Sequence, residues 1–283
     1  MLASPRYEGP AIISMTGEPG DQLAPLVRQR RRFQATLENL APHDWSVESR
    51  CDGWSVRDVV AHLVGVNIFW QASVQAGLSG APTRVLVGFD PAVTPALMVA
   101  SMQELAPEDV LERFVASNDG FLGVFDDLDD QGWSVPAESP VGHVPIRVLA
   151  HHALWDSWVH ERDIALPLGL HPLVESDEVR PCLRYVSALG PAFALTTGRT
   201  FADAFAVEAR DPAESFVLDI GHSVAVRDGD ARGFPDEVCL RGDAVGLVEA
   251  LSVRCPLPAS APTQWRELLG GLARAFDVEV QAE

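Results

Sequence analysis

The hydrophobic periodicity of this 283-residue chain changes once, near residue 200. Between about 21 and 168, apolar residues return every three to four positions, the spacing of helices that bury one face. From Phe201 onward they alternate: Phe205 and Val207, then Phe216, Leu218 and Ile220, then Val224 and Val226, then Val238 and Leu240. Period two is the pattern of half-buried strands. Helices first and strands afterwards exclude a repeating βαβ sheet and predict an α+β chain. The expected organisation is a flexible tail over 1–20, a four-helix bundle over 21–172, a linking helix within 173–200 and a small α+β domain over 201–283. The tail is rich in Pro and Gly, and Met15 offers a second possible start.

The four bundle helices are expected over residues 21–40, 55–76, 94–128 with a restart at Pro107, and 145–165. Pro107 followed by Glu108 and Asp109 suits a helix start, because proline lacks an N–H and acids favour the positive end of the dipole. The segments 77–95 and 133–144 read as loops, the first as a candidate pocket rim. Further helices are expected over 175–197, 242–254 and 262–275, with a last strand over 276–280. Arg28, Arg30, Arg31 and Arg32 form a basic run whose simplest reading is a solvated helix face, with an anion site as the alternative. Asp126, Asp127, Asp129 and Asp130 lack the ligand spacing of an EF-hand and read as a helix end.

No stretch approaches 18 uninterrupted apolar residues, and no basic-then-apolar leader opens the chain, so neither a membrane span nor a signal peptide is expected. A net charge of −19 opposes binding to nucleic acid and anionic membranes. The four cysteines form no CxxC, which fits a reduced, cytoplasmic protein with buried structural thiols. Glycine-rich phosphate loops are absent. Gly221-His222-Ser223-Val224-Ala225 lacks the second glycine and the following helix of a nucleophile elbow.

Two stretches carry chemistry. In Cys51-Asp52-Gly53-Trp54-Ser55-Val56-Arg57-Asp58-Val59-Val60-Ala61-His62-Leu63, Ser55 reads as an N-cap and His62 falls on the inner face of the helix it opens. An imidazole in an apolar seam needs a hydrogen-bond partner or a metal. In His151-His152-Ala153-Leu154-Trp155-Asp156-Ser157-Trp158-Val159-His160-Glu161-Arg162-Asp163, the residues His152, Asp156 and His160 share a face at i, i+4 and i+8. Eight residues span about 12 Å of helix, so only one adjacent pair can share a metal with His62: His152/Asp156 or Asp156/His160. Alternatively, His62 is a satisfied core histidine and Asp156 pairs with Arg162 or a backbone group.

Trp45 and the Cys51-to-Leu63 stretch closely resemble the N-terminal signature of the mycothiol-dependent maleylpyruvate isomerase family, DinB-like metal-binding four-helix bundles. The second signature of that family, an acidic residue, three residues, His and then Asp, is similar to Asp156-Ser157-Trp158-Val159-His160-Glu161-Arg162-Asp163. The resemblance implies the pair Asp156/His160 and a divalent metal, usually zinc, held by His62, Asp156 and His160. It also implies mycothiol or another small thiol as cofactor. Val238-Cys239-Leu240-Arg241-Gly242-Asp243-Ala244 and the stretch 247–254 resemble the family's C-terminal α+β domain. Arg254 matches the arginine that ends that stretch; it would hold an anionic end of substrate or cofactor, unless it is only a helix C-cap charge. The isomerase has Glu where Asp156 stands, one methylene longer.

The implied function is metal- and thiol-dependent isomerisation or S-transfer on a small electrophilic acid, by a cytoplasmic monomer or homodimer with small-molecule partners. The alternative from another class is a non-catalytic small-ligand binding module on the same bundle; a protein–protein adaptor is a third.

Overall fold

The computed structural model describes residues 4–17, 23–90, 93–200 and 203–275. Helix α1 (Leu23–Glu38), α2 (Val56–Leu78), α4 (Pro107–Leu122) and α6 (Ile146–Ala165) pack as the helical bundle. The expected third helix is broken. A short α3 (Thr94–Ala100) packs on α2, and α4 begins anew with proline in its first turn. After α4 a 3-10 turn leads to the short α5 (Asp130–Ser134), which Asp129 caps by accepting the Gly132 N–H at 2.8 Å. Helix α2 is long and apolar enough to cross a membrane, yet 56% of its most apolar window is buried inside the protein. Its apolarity is that of a central bundle helix.

Helix α7 (Ser176–Thr196) packs on α6 on one side and on α8 (Ala244–Leu251), α9 (Thr263–Ala275) and the sheet on the other. One continuous apolar core therefore runs from α6 through Val179, Leu183 and Phe193 of α7 to Phe205, Phe216 and Leu240 of the sheet. A separate cluster around Phe33, Val60 and Phe114 fills the other end of the bundle. The sheet comprises β1 (Ile13–Met15), β4 (Asp203–Arg210), β5 (Glu214–Ile220), β6 (Val224–Asp228) and β7 (Cys239–Asp243), in the order β1-β6-β5-β4-β7. The β6-β5-β4 core is antiparallel, and β1 and β7 join parallel at the two edges. The chain is thus mixed α and β, helical first and sheet-forming later.

Three local expectations are corrected. Residues 13–15, expected in a loose tail, form edge strand β1, with Ile12 and Ile13 fully buried; three residues are too few to show a period, and their partner Val224–Val226 lies over 200 positions away. The 133–144 stretch is not a plain loop but carries a hairpin, β2 (Pro136–Ser139) and β3 (Gly142–Pro145). Its prolines sit where strands begin and end, which single-sequence reading takes for breakers. The basic run of α1 is a solvated face only at Arg28 and Arg31. Arg30 is fully buried and Arg32 bridges Glu161 and Glu178. The expected strand over 276–280 lies outside the described residues.

Candidate metal centre

Ser55 starts α2 with a capping box: its hydroxyl accepts the Asp58 N–H at 3.3 Å while the Asp58 carboxylate accepts the Ser55 N–H at 3.0 Å. That start sets the helical phase, and two turns later His62 faces α6 rather than solvent. Helix α6 presents Asp156, His160 and Asp163 at i, i+4 and i+7, one face of an α-helix. The His62 and His160 rings meet edge-to-face with centroids 5.2 Å apart, and Trp54 covers the other side of His62 at 5.2 Å. One ligating atom each from His62, Asp156 and His160 lies within 4.8 Å of the other two.

The two nitrogens of His160 are used differently. Nδ1 donates to Asp163 Oδ2 at 3.0 Å, and Nε2 faces Asp156 Oδ1 at 3.5 Å. Asp163 is itself gripped by Arg254, whose Nε reaches Oδ1 at 2.9 Å and whose Nη2 reaches Oδ2 at 2.8 Å. The Cys51 thiol donates to the same Oδ2 at 3.2 Å. A second trio, Cys51, His160 and Asp163, is also close enough for a metal. Its carboxylate, however, is already satisfied by Arg254 and by His160 Nδ1, so the open side of His160 is Nε2. A histidine that gives one nitrogen to a buried carboxylate has the other fixed in orientation for a cation.

The electrostatics agree. Burial, then the His160 charge, pushes His62 down to about 4, so it is neutral and carries a free lone pair. Burial also opposes charge on Asp156, but His160 and His62 outweigh it and hold the carboxyl below its usual range. Burial disfavours His160 protonation as well, yet Cys51, Asp156 and Asp163 overcome it and lift His160 to about 10. The His160 charge thus lies between two carboxylates, Asp156 at 3.5 Å and Asp163 at 3.0 Å, the second of which is also paired with Arg254. Buried His62 Nδ1 and Asp156 Oδ2 have no hydrogen-bond partner. An unpartnered neutral imidazole and an unpartnered carboxylate oxygen beside His160 make a donor set suited to a small divalent cation.

The trio lies on a cavity of about 520 Å³, also bordered by Trp70, Phe89, Met98, His152 and Arg254. Residues within 77–95, the expected pocket rim, do contribute, among them Leu86 and Phe89. They are held by Glu138 of β2, which accepts the N–H groups of Val85 at 2.9 Å and Leu86 at 2.8 Å and the Tyr7 hydroxyl at 2.6 Å. On the far side, Glu249 of α8 accepts from Arg50 at 3.0 Å and Arg162 at 2.6 Å, tying α8 to the bundle. Val253, just past α8, has φ of 61°, a conformation that costs a β-branched residue about 1–2 kcal/mol. It turns the chain so that Arg254 reaches back to Asp163.

The structure brings His62, Asp156, His160 and Arg254 together; the Arg254 guanidinium faces Asp163 while its backbone N–H also caps α8 on Glu249 O at 2.9 Å. Asp156 Oδ1 and His160 Nε2 lie 3.5 Å apart, inside the ~4 Å that a preformed tetrahedral site suggests. Sequence reading placed Asp163 in the second signature without assigning it the role of orienting His160. It also assigned every cysteine a buried structural role. That description fits Cys182 and Cys239, but Cys255 is exposed, and half-buried Cys51 joins the charged cluster. The Cys51 signal was present, one residue before the Asp-Gly-Trp turn, but nothing local joins it to a helix over a hundred positions away.

No protein of curated function matches the sequence. Among solved structures, two crystal structures of mycothiol-dependent maleylpyruvate isomerase, one of them a histidine-to-alanine mutant, are similar in fold. Their TM-scores are 0.57 and, for the mutant, 0.59, each at 14% identity over 83% of this chain and 88% of theirs. Residues 26–165, which contain His62, Asp156 and His160, match the mycothiol maleylpyruvate isomerase N-terminal domain. By that match the chain belongs to the mycothiol-dependent maleylpyruvate isomerase family.

Proposed function

We propose that this protein is a metal- and thiol-dependent enzyme that isomerises, or transfers a thiol to, a small electrophilic acid. The observation that carries the reading is the convergence of His62, Asp156 and His160 on one cavity, with His62 Nδ1 and Asp156 Oδ2 buried and unpartnered. These three residues would hold a divalent metal, zinc being the expected one, and leave a position open. When bound, the metal supplies a cation that favours the thiolate form of a small thiol such as mycothiol. The chain's own residues do the rest. Asp163 fixes the His160 ring through Nδ1, and Asp163 is fixed in turn by Arg254. Arg254 borders the cavity and is the cationic group that receives an anionic end of substrate or thiol. The aromatic wall of Trp54, Phe69 and Trp70 keeps water from the reacting carbon. Asp156, shorter than the glutamate of the isomerase, still comes within 4.8 Å of both histidines. A cytoplasmic setting fits a cofactor that must stay reduced.

Cobalt substitution tests the reading. A thiol that enters the open position gives an intense sulfur-to-cobalt charge-transfer band, which should grow on titration and be lost in His62→Ala. A spectrum unmoved by millimolar thiol would retire the thiol chemistry. The predominantly apolar cavity would then favour a non-catalytic binding module.

A further inference from the structure

His152 borders the same cavity but is not part of the ligand set. Its Nδ1 lies 2.6 Å from the hydroxyl of Tyr185 on α7. Tyr185 is 1% exposed and does not border the cavity, so it sits behind the imidazole. The phenol hydrogen has one acceptor available to it among the described residues, and that acceptor is His152 Nδ1. The opposite tautomer would leave a buried O–H without a partner, at a cost comparable to a lost hydrogen bond. Tyr185 therefore donates, and the His152 proton sits on Nε2, on the ring edge away from Tyr185. Burial, only partly opposed by Asp156, lowers His152 to about 4, and burial first, then Asp156, raises Tyr185; the pair is neutral around pH 7. Next to it, Trp70 packs edge-to-face on His152 at 4.7 Å and also borders the cavity; its buried Nε1–H has no acceptor among the described residues.

We propose that His152, held in one tautomer by Tyr185, is a neutral hydrogen-bond donor that receives a carbonyl oxygen of the substrate, with Trp70 beside it. The proposal deepens the reading of this cavity as a substrate site and rests on it. Two uncharged donors among aromatic rings suit an uncharged acceptor. A carboxylate would lose more hydration there than two neutral donors return, and it has Arg254 instead. The cavity thus separates two substrate groups: an acid end towards Arg254 and a carbonyl towards His152. If charge grows on that oxygen during reaction, the bond to Nε2–H strengthens without proton transfer.

The test uses the zinc-loaded full chain labelled with ¹⁵N-histidine, with maleylpyruvate as the keto acid and maleate as the acid without the keto group. The expected result is a neutral, Nε2-protonated His152 whose signal shifts with maleylpyruvate and not with maleate. Tyr185→Phe should mix the two tautomers. His152→Ala should weaken maleylpyruvate binding roughly tenfold, the scale of one hydrogen bond, while His152→Gln keeps part of the affinity. Zinc content and the cobalt–thiol band should be unchanged in all three variants, which separates this role from a metal or structural one. A proton on Nδ1, equal shifts with both acids, no binding of either acid, or unchanged affinity in His152→Ala would overturn the proposal. Should wild type give no thiol band while maleylpyruvate still moves the His152 signal, the thiol reading falls and the carbonyl subsite stands.

Discussion

His160 divides its ring between a carboxylate that orients it and an open side shared with His62 and Asp156, while His152, two turns earlier on the same helix, hydrogen-bonds a phenol. The same side chain on the same face thus has two environments, and they predict different losses. His160→Ala should abolish stoichiometric zinc, whereas His152→Ala should retain it; metal analysis after dialysis reads the difference, and equal loss in both would assign the wrong pair. Asp163→Asn should fall between them. It keeps the fold but presents a neutral partner to His160 Nδ1, and loss of such an orienting group typically weakens metal affinity 10- to 100-fold.

At the scale of elements, two buried polar groups hold the bundle in the geometry the site needs. Arg30 of α1 donates to Asn67 of α2 at 2.6 Å, Asn118 of α4 at 3.1 Å and the Ala153 carbonyl of α6 at 3.3 Å, and its guanidinium lies 4.8 Å from the Phe121 ring centre. It thereby pins four helices at one level, just above Asp156. Burial lowers it to about 10, with Asp156 partly opposing, so it remains cationic at neutral pH. Arg30→Met should destabilise the protein by about 3 kcal/mol, because three acceptors lose their donor inside the core; a urea transition midpoint unchanged from wild type would contradict this role. Glu138 does similar work for the cavity rim. Burial opposes its ionisation, but bonds from Tyr7, Thr83, Leu86 and Val85 outweigh it and lower its pKa. A depressed carboxyl stabilises the fold above its unfolded value of 4.5 and loses that contribution as pH falls through the folded value. Proteolytic nicking within residues 81–90 should therefore rise below about pH 4.5. In Glu138→Gln it should be raised at neutral pH and vary less with acidity.

For the whole molecule, the proposed metal is expected not to hold the fold. A structural zinc has four protein ligands, and its removal unfolds a small domain. Here three candidate ligands converge, and a continuous core joins α6, α7 and the sheet independently of them. Stripping the metal should leave the far-UV circular dichroism intact and abolish thiol binding. Thermal unfolding should shift only by what ligand linkage supplies, a few kcal/mol at saturating metal. A chelator that melts the helices would reassign the metal as structural.

Local chemistry was enough to read the bundle helices, the Ser55 cap, the strand alternation after residue 200 and the i, i+4 pairing of Asp156 with His160. Each depends on neighbours within a turn or two of chain, where periodicity and capping act. The choice between His152 and His160 as the partner of Asp156 was not local: spacing left both open, and the family resemblance favoured His160. The tertiary structure separates them, because Asp163 and Arg254 lie behind His160 while Tyr185 lies behind His152. It also decided that Arg30 is core rather than surface, that residues 13–15 close a sheet edge, and that Cys51 belongs to a charged cluster. In each case the deciding partner is remote in sequence, at Asn118 for Arg30, Val224 for Ile13 and Arg254 for Cys51. A buried polar group must find its partner wherever the fold brings one, and a one-dimensional pattern carries no record of that distance.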